Sequence, residues 1–343
     1  MKLDRKYSVF FIKGAVLFFL IFAVIFSCRR KTPLISDFTF QGMGTVLTVM
    51  YVGKKDSDLE KLLKEDVRYI EKLFSYYNEN SFVSKLNEFA HINKVEVPQE
   101  VCELIVLSIE MGRKTDNYFD ITYKSKGKVW DEKRENIPKK EELEKLSHLV
   151  GYRNIEADCE KGKIKFLKEG VIIDMGGVAK GYSIDRAGDI MKRNGVNNFI
   201  INYGGDMLIC GDKKGQPWEI GIKDPDSQGK ILKKISIKGG ETCTAIATSG
   251  KYERFKILEG TVYSHIINPG SGMPANEAKS VTVVGENATE VDVLATAISA
   301  SDLDEMFIKK IVDKFSVKIY TLSDSGSVWK EYGTEKQQRK VQK

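Results

Sequence analysis

The sequence predicts an α+β fold of mostly antiparallel sheets with flanking helices, built as one large domain or two intimate subdomains. Short β-type runs outnumber helical runs, and many are joined by tight turns, which favours antiparallel pairing over a doubly wound sheet. At 343 residues the chain can bury a large core. Its 42% hydrophobic and 30% charged residues are those of a soluble globular protein.

The N-terminus stands apart from this fold. Lys2, Arg5, Lys6 and Lys13 precede the apolar run Ala15 to Phe26. That run is short for a membrane span but suits the apolar region of a signal sequence. Ile25-Phe26-Ser27-Cys28 resembles a relaxed bacterial lipoprotein cleavage box. Residues 1–27 are therefore expected to be a signal peptide and Cys28 the lipidated first residue of an exported protein. A plain signal anchor is the alternative, favoured by Arg29-Arg30-Lys31. Residues 28–37 are expected to be a tether, 38–325 the folded domain, and 326–343 a disordered basic tail. The net charge of +6 is concentrated at the two termini. That spread, without interleaved aromatics, argues against a nucleic-acid partner. Cys102, Cys159, Cys210 and Cys243 are widely spaced and form no CxxC pair. A sequence-local zinc site is excluded, and buried thiols rather than a disulfide scaffold are expected.

The folded part begins with β alternation from Phe38 to Val52 around Gly42-Met-Gly-Thr45. A helix follows, with Leu59, Leu62, Leu63, Val67, Ile70 and Phe74 on its apolar side. Ser75 to Ser81 is a polar aromatic turn. A second helix starts after Pro98 and reaches about Met111, and a short one spans Glu141 to Val150. Ile164–Leu167 and Val171–Ile173 are expected to form a hairpin. Strands are then predicted at Phe199–Asn202, Trp218–Ile222, Ile231–Ile237, Ala245–Thr248 and Ser280–Val284. Helices from Glu290 and Leu303 lead to a last strand, Val317–Thr321.

The chain is organised around Asp174-Met-Gly-Gly-Val-Ala-Lys-Gly-Tyr-Ser-Ile-Asp185. Its position between an apolar run and the helix face Ile184, Ala187, Ile190, Met191 makes it a glycine-rich entry to a helix. Such a turn brings backbone close to a ligand and offers helix N–H groups to an anion such as a phosphate. It matches neither the dinucleotide nor the P-loop pattern. Asp292 and Thr296, four apart, project from one helix face. They offer oxygen ligands suited to magnesium. Thr289-Glu-Val-Asp292 also reads as a capping box, so both roles stay open. His265, before Asn268-Pro-Gly-Ser-Gly272, is a possible general base or an ordinary structural histidine. Ser249 lacks the frame of a serine hydrolase.

Taken in order, these blocks resemble the ApbE family of FAD:protein FMN transferases. The likeness rests on Gly42-Met-Gly-Thr45, Ser75-Tyr-Tyr77, Tyr118-Phe-Asp-Ile-Thr122, Asp174 to Asp185, Asn202-Tyr-Gly-Gly-Asp206, Trp218 to Ile222, Ala247-Thr-Ser-Gly250 with Tyr252, His265-Ile-Ile-Asn-Pro269, and Asp292 with Thr296. The resemblance implies magnesium-dependent transfer of the FMN half of FAD to a threonine of an acceptor flavoprotein subunit, with release of AMP. Acceptors would be subunits such as those of membrane redox complexes, reached by a periplasm-facing, lipid-anchored enzyme. It implies that Met43, Tyr77, Tyr118, Phe119, Asp120, Gly176, Lys180, Tyr182, Asp185 and Ile266 contact the flavin nucleotide. Asp292, Thr296 and the Ala179 carbonyl would bind Mg2+, with His265 and Lys180 catalytic. Hydrolysis of FAD to FMN and AMP, or FAD binding without turnover, are the rival outcomes. Asn268 stands where the family usually has Asp, so it could slow turnover or simply cap its turn.

Overall fold

The computed structural model describes residues 33–130, 134, 136–225, 227, 229–240, 242–251, 255–325 and 328–333. The expected signal segment, Cys28, Tyr252 and residues 334–343 lie outside the described residues. Among those described, no helix is long and apolar enough to cross a membrane.

The fold opens on strands β1 (Ile35–Gly42) and β2 (Thr45–Val52). Ile35 pairs with Val52, so the expected tether is too long by its last three residues. The two-residue loop is a primed turn, with Met43 at φ 51° and Gly44 at φ 70°. Helix α1 (Ser57–Phe74) is capped by Asp56, whose side chain accepts from the N–H groups of Asp58 and Leu59. Its buried stripe is Leu59, Leu63, Val67, Ile70, Leu73 and Phe74, while Leu62 faces outward. Next come α2 (Phe82–Phe89), the short β3 (Val95–Glu96), α3 (Gln99–Lys114), the single turn α4 (Lys124–Gly127) and α5 (Lys140–Leu146).

Strand β4 (Ile155–Asp158) pairs with β5 (Lys163–Phe166), and β5 also pairs with β3. The expected hairpin with Val171–Ile173 does not form. That run is extended, but side chains replace the ladder: the Ile173 N–H donates to Asn87 Oδ1, and the Ile172 N–H to Ser125 Oγ. Buried backbone needs a partner, and two distant polar side chains serve as well as a strand.

After the central turn come α6 (Ala179–Arg193), β6 (Phe199–Tyr203), β7 (Asp206–Cys210), β8 (Trp218–Lys223), β9 (Ile231–Ile237) and β10 (Thr244–Gly250). The chain continues through β11 (Phe255–Leu258), β12 (Thr261–Ser264), β13 (Ala278–Gly285), α7 (Ala288–Ala300), α8 (Glu305–Phe315), β14 (Lys318–Ser323) and β15 (Trp329–Tyr332). Strand β15 pairs with β14, so residues 329–332 belong to the fold and not to a disordered tail.

Eight strands form one sheet in the order β1-β2-β6-β7-β10-β13-β14-β15, with every neighbouring pair antiparallel. Strand alternation divides its side chains between two apolar clusters. Phe199, Ile201, Tyr203 and Leu208 join the larger cluster with α6 and α7. Ile200, Ile209, Ile246 and Tyr320 join the smaller cluster beneath the β8–β9 hairpin, with Trp218 and Ile220. From Ile35 onward the chain is one compact unit.

The cysteines depart from expectation: Cys102 is bonded to Cys159 and Cys210 to Cys243. Sequence spacing could not reveal this, because each bridge joins elements brought together by tertiary packing. The first ties α3 to the β4–β5 turn. The second extends the β7–β10 ladder by one pair beyond Ile209 and Thr244.

Candidate functional site

One cleft of about 1290 Å³ gathers most of the blocks singled out in the sequence. It is larger than the roughly 300–1,000 Å³ usual for small-molecule sites, so it has room for an extended, dinucleotide-sized ligand. Met43, Tyr77, Tyr118, Phe119, Asp120, Gly176, Ala179, Lys180, His265, Ile266, Asp292 and Thr296 all line it.

The floor is where α6 meets α7. A Cβ on Gly181 would stand 2.3 Å from the Ala288 carbonyl oxygen, so only glycine permits this helix crossing. The Gly181 N–H donates to Asp292 Oδ2 at 2.9 Å. Helix α7 is apolar on nearly every side and largely buried, and Asp292 is a buried carboxylate in its second turn. Burying a carboxylate is costly unless it is paired or bound to a cation. One turn on, Thr296 packs against the central turn: a Cβ on Gly177 would lie 3.2 Å from both Thr296 Oγ1 and the Phe119 ring. The capping box read at Thr289–Asp292 is displaced. Asn287 is the cap, accepting from the Glu290 N–H at 2.8 Å, and Asp292 lies beyond the first turn.

Among the described residues, no group of three His, Cys, Asp or Glu side chains could hold a metal. Asp292, Thr296 and Ala179 line the same cleft, and a carboxylate, a hydroxyl and a backbone carbonyl are all oxygen donors. That set fits a hard divalent cation which takes its other ligands from substrate and water.

Lys180, in the first turn of α6, pairs with Asp206 at 2.7 Å. Asp206 also accepts from the Thr248 N–H at 2.9 Å. The Lys180 charge is therefore held in a network at the start of β7, a partnership not anticipated from its sequence neighbours. At the mouth of the central turn, Asp174 accepts from the Tyr123 hydroxyl at 3.0 Å and from the Gly176 N–H at 2.8 Å. Burial and then the Asp174 charge push the Tyr123 hydroxyl well above the ordinary tyrosine range.

Tyr182 and Asp185 do not line the cleft. Tyr182 packs edge-on against Phe74, and burial raises its hydroxyl pKa. Asp185 accepts from the Ala288 and Thr289 N–H groups and the Thr289 hydroxyl, and burial raises its carboxyl pKa. It anchors the start of α7 and so sets Asp292 in place. Asp120 accepts from both the N–H and the hydroxyl of Thr122, with its carboxyl raised by burial.

Of the aromatic candidates, Tyr77 is 77% exposed at the cleft edge and meets Tyr76 edge-on. Tyr118 packs against Phe307. His265 is exposed to the cleft, just after β12. Three residues on, Asn268 donates to the Ala300 carbonyl at 2.9 Å and accepts from the Ser271 N–H at 3.0 Å. The turn it closes is clamped from below, because Lys126 Nζ donates to the Gly270 carbonyl and Trp130 Nε1 to the Gly272 carbonyl, each at 2.8 Å. These two clamps were not singled out in the sequence, where Lys126 and Trp130 sit in a polar run with no motif.

Fold and site together define a member of a known family. The ApbE family model matches residues 43–317, and the chain belongs to that family. Among curated relatives, the FAD:protein FMN transferase of Vibrio cholerae (strain O395) is 26% identical over 304 residues, covering 85% of this chain and 88% of the relative. That of Escherichia coli K12 is 23% identical over 302 residues, covering 84% of each. Among solved structures, the ApbE protein of Thermotoga maritima aligns with a TM-score of 0.80 at 29% identity, covering 90% of this chain and 100% of that one. The flavin transferase ApbE of Vibrio cholerae aligns at 0.77 and 21% identity, covering 90% and 99%.

Proposed function

We propose that this protein is an FAD:protein FMN transferase that moves the FMN half of FAD onto a threonine hydroxyl of a protein acceptor and releases AMP. The observation that carries the reading is the shared cleft. Asp292 and Thr296 on α7, Lys180 on α6 and His265 after β12 open onto one space large enough for a dinucleotide. The names of the relatives support the same reaction.

In this reaction the acceptor oxygen bonds to the FMN phosphorus. The bond from that phosphorus to the bridging oxygen breaks, and the bridging oxygen leaves with AMP. His265 faces the cleft and takes the hydroxyl proton. Lys180, steadied by Asp206, lays positive charge beside the diphosphate, where such transfers need it most. A magnesium ion held by Asp292, Thr296 and the Ala179 carbonyl supplies further neutralisation of phosphate charge when bound. Tyr77 and Tyr118 offer ring faces for the planar parts of the nucleotide.

The same reading takes the enzyme to be exported and lipid-anchored through Cys28, working on flavoprotein subunits at a bacterial membrane. The two disulfides fit an oxidising compartment. The test is incubation with FAD and magnesium, with and without a threonine-bearing acceptor. AMP release together with flavin fluorescence on the denatured acceptor is expected. AMP and FMN formed equally without acceptor would replace the transferase with an FAD pyrophosphatase, which the solvent access of His265 also permits. FAD binding with no AMP in either arm would leave a flavin-binding protein.

A further inference from the structure

The hairpin of β11 and β12 exposes apolar side chains beside the cleft. Phe255, Ile257 and Val262 are 55%, 60% and 39% exposed. Ile257 is paired directly with Val262, and alternation puts Phe255 on the same face. The opposite face is turned inward, with Leu258 buried and the Tyr263 ring 5.2 Å from that of Trp130. Phe255 also lines the cleft, so the exposed face is continuous with its wall. Among the described residues, neither β11 nor β12 has a second strand partner. Exposed apolar side chains beside an unpaired strand edge are a liability that proteins normally cover or charge. Here Phe255 is paired with Ser264, the residue before His265.

We propose that this hairpin docks the acceptor by strand addition. An extended acceptor segment would pair with the hairpin edge as a third strand, with apolar residues at alternate positions on Phe255, Ile257 and Val262. Its hydroxyl residue would then point into the cleft at His265. The inference rests on the transferase reading, because only a transferase needs a polypeptide hydroxyl brought to this cleft. Main-chain hydrogen bonds give such docking its affinity, and alternate side chains give its selectivity. A four-residue strand spans about 13 Å, so recognition is confined to a short motif around the modified residue. A helical acceptor segment is excluded, since its backbone groups are already bonded to one another.

The test uses the full chain and three synthetic peptides. One carries a central threonine with valine or leucine at alternate flanking positions. The second has glutamine at those positions. The third is the first with a single backbone N-methyl group beside the threonine. FMN incorporation is followed by flavin fluorescence on the separated peptide, and FAD affinity by fluorescence titration. The apolar peptide is expected to be labelled best, and N-methylation to weaken its labelling. Ile257→Lys and Val262→Lys, neither of which lines the cleft, should each raise KM for that peptide by at least about tenfold while leaving FAD affinity unchanged. An unchanged KM in both variants would overturn the proposal. So would concentration-dependent dimerisation lost in Ile257→Lys without a change in KM, which would assign the face to a second copy. If the unsubstituted chain binds FAD and releases AMP but labels no peptide and no intact acceptor protein, the transferase reading itself fails.

Discussion

Lys180 and Asp206 meet at 2.7 Å, joining the first turn of α6 to the first residue of β7. The side chains are 23% and 4% exposed, so the pair is largely withdrawn from water. Losing one member of such a pair costs more than the pair itself contributes, because a buried charge is left behind. Asp206→Asn keeps an oxygen for the Thr248 N–H but removes the counter-charge. A stability loss of roughly 3 kcal/mol is expected in urea unfolding. FAD affinity should hold, since the lysine charge that lines the cleft is retained. Lys180→Met should instead weaken FAD binding and slow transfer. Weaker FAD binding in Asp206→Asn would mean that the carboxylate, and not the lysine, organises the nucleotide.

Asp292 has two duties that substitution can separate. It accepts from the Gly181 N–H, and it is the carboxylate of the oxygen cluster. Asp292→Asn retains an acceptor for that N–H and should fold normally, while the proposed metal-assisted release of AMP should fall by roughly 100-fold or more. Gly181→Ala attacks the other duty. Its methyl would meet the Ala288 carbonyl at 2.3 Å, where backbone cannot swing aside. A destabilisation of about 3 kcal/mol or more is expected, with loss of the site. Gly176→Ala, whose methyl meets only the Asp174 side chain at 3.1 Å, is the tolerated control. Equal melting temperatures for the two glycine variants would sink this account of the helix crossing.

The sequence made much of this legible. The α1 helix, most of the strand runs and the glycine-rich helix entry are local patterns, and they formed where periodicity placed them, with Leu62 turned outward from the expected stripe. Asp292 and Thr296 could be paired because four residues make one helical turn. Other features depend on residues far apart in the chain. Asn87 and Ser125 turn an apolar run into ladderless extended chain, and no local pattern announces them. The disulfides, the Lys180–Asp206 pair and the Lys126 and Trp130 clamps likewise join distant segments. Asp185, expected to contact the nucleotide, is hydrogen-bonded to the start of α7, a partner more than 100 residues away that no local pattern announces.

Asp120 gives the fold a pH signature. Burial raises its carboxyl pKa, against the pull of its hydrogen bonds to Thr122. Between the unfolded value near 3.9 and that raised value, the native state binds more protons than the unfolded chain. Its contribution to stability is thus fullest below about pH 4 and declines as pH climbs through the folded pKa. Asp120→Asn removes that slope but also one acceptor oxygen. The variant should be less stable throughout, with the gap between urea midpoints narrowing from pH 4 to pH 6. A gap that widens with pH would reverse the assignment.

The two bridges close sequence separations of 57 and 33 residues. On the chain-entropy account each stabilises the fold by about 4 kcal/mol. Unfolding in urea with and without a thiol reductant should show a large drop on reduction. The Cys210→Ala/Cys243→Ala pair should lose the part belonging to the β7–β10 ladder. Identical unfolding under both conditions would indicate that the native packing alone holds these strands.

Asn268 is the clearest case of a residue whose role depends on which atom donates. Its side-chain oxygen accepts from the Ser271 N–H, and its amide nitrogen donates to the carbonyl of Ala300, the last residue of α7. The turn after His265 is thereby fastened to the helix that carries Asp292 and Thr296. An aspartate could keep the first bond but not the second while ionised, since its other oxygen would face a carbonyl oxygen. Asn268→Asp should therefore cost about 1–3 kcal/mol near neutral pH. The loss should shrink in acid, where a protonated carboxyl can donate to Ala300 again. Asn268→Ala lacks both bonds and should show no such recovery. Transfer should slow in both variants, because the turn follows directly on His265 and holds it against α7. Faster transfer in Asn268→Asp at neutral pH would instead mean that a carboxylate at this position takes part in the chemistry, and that the asparagine holds the turn at the expense of rate.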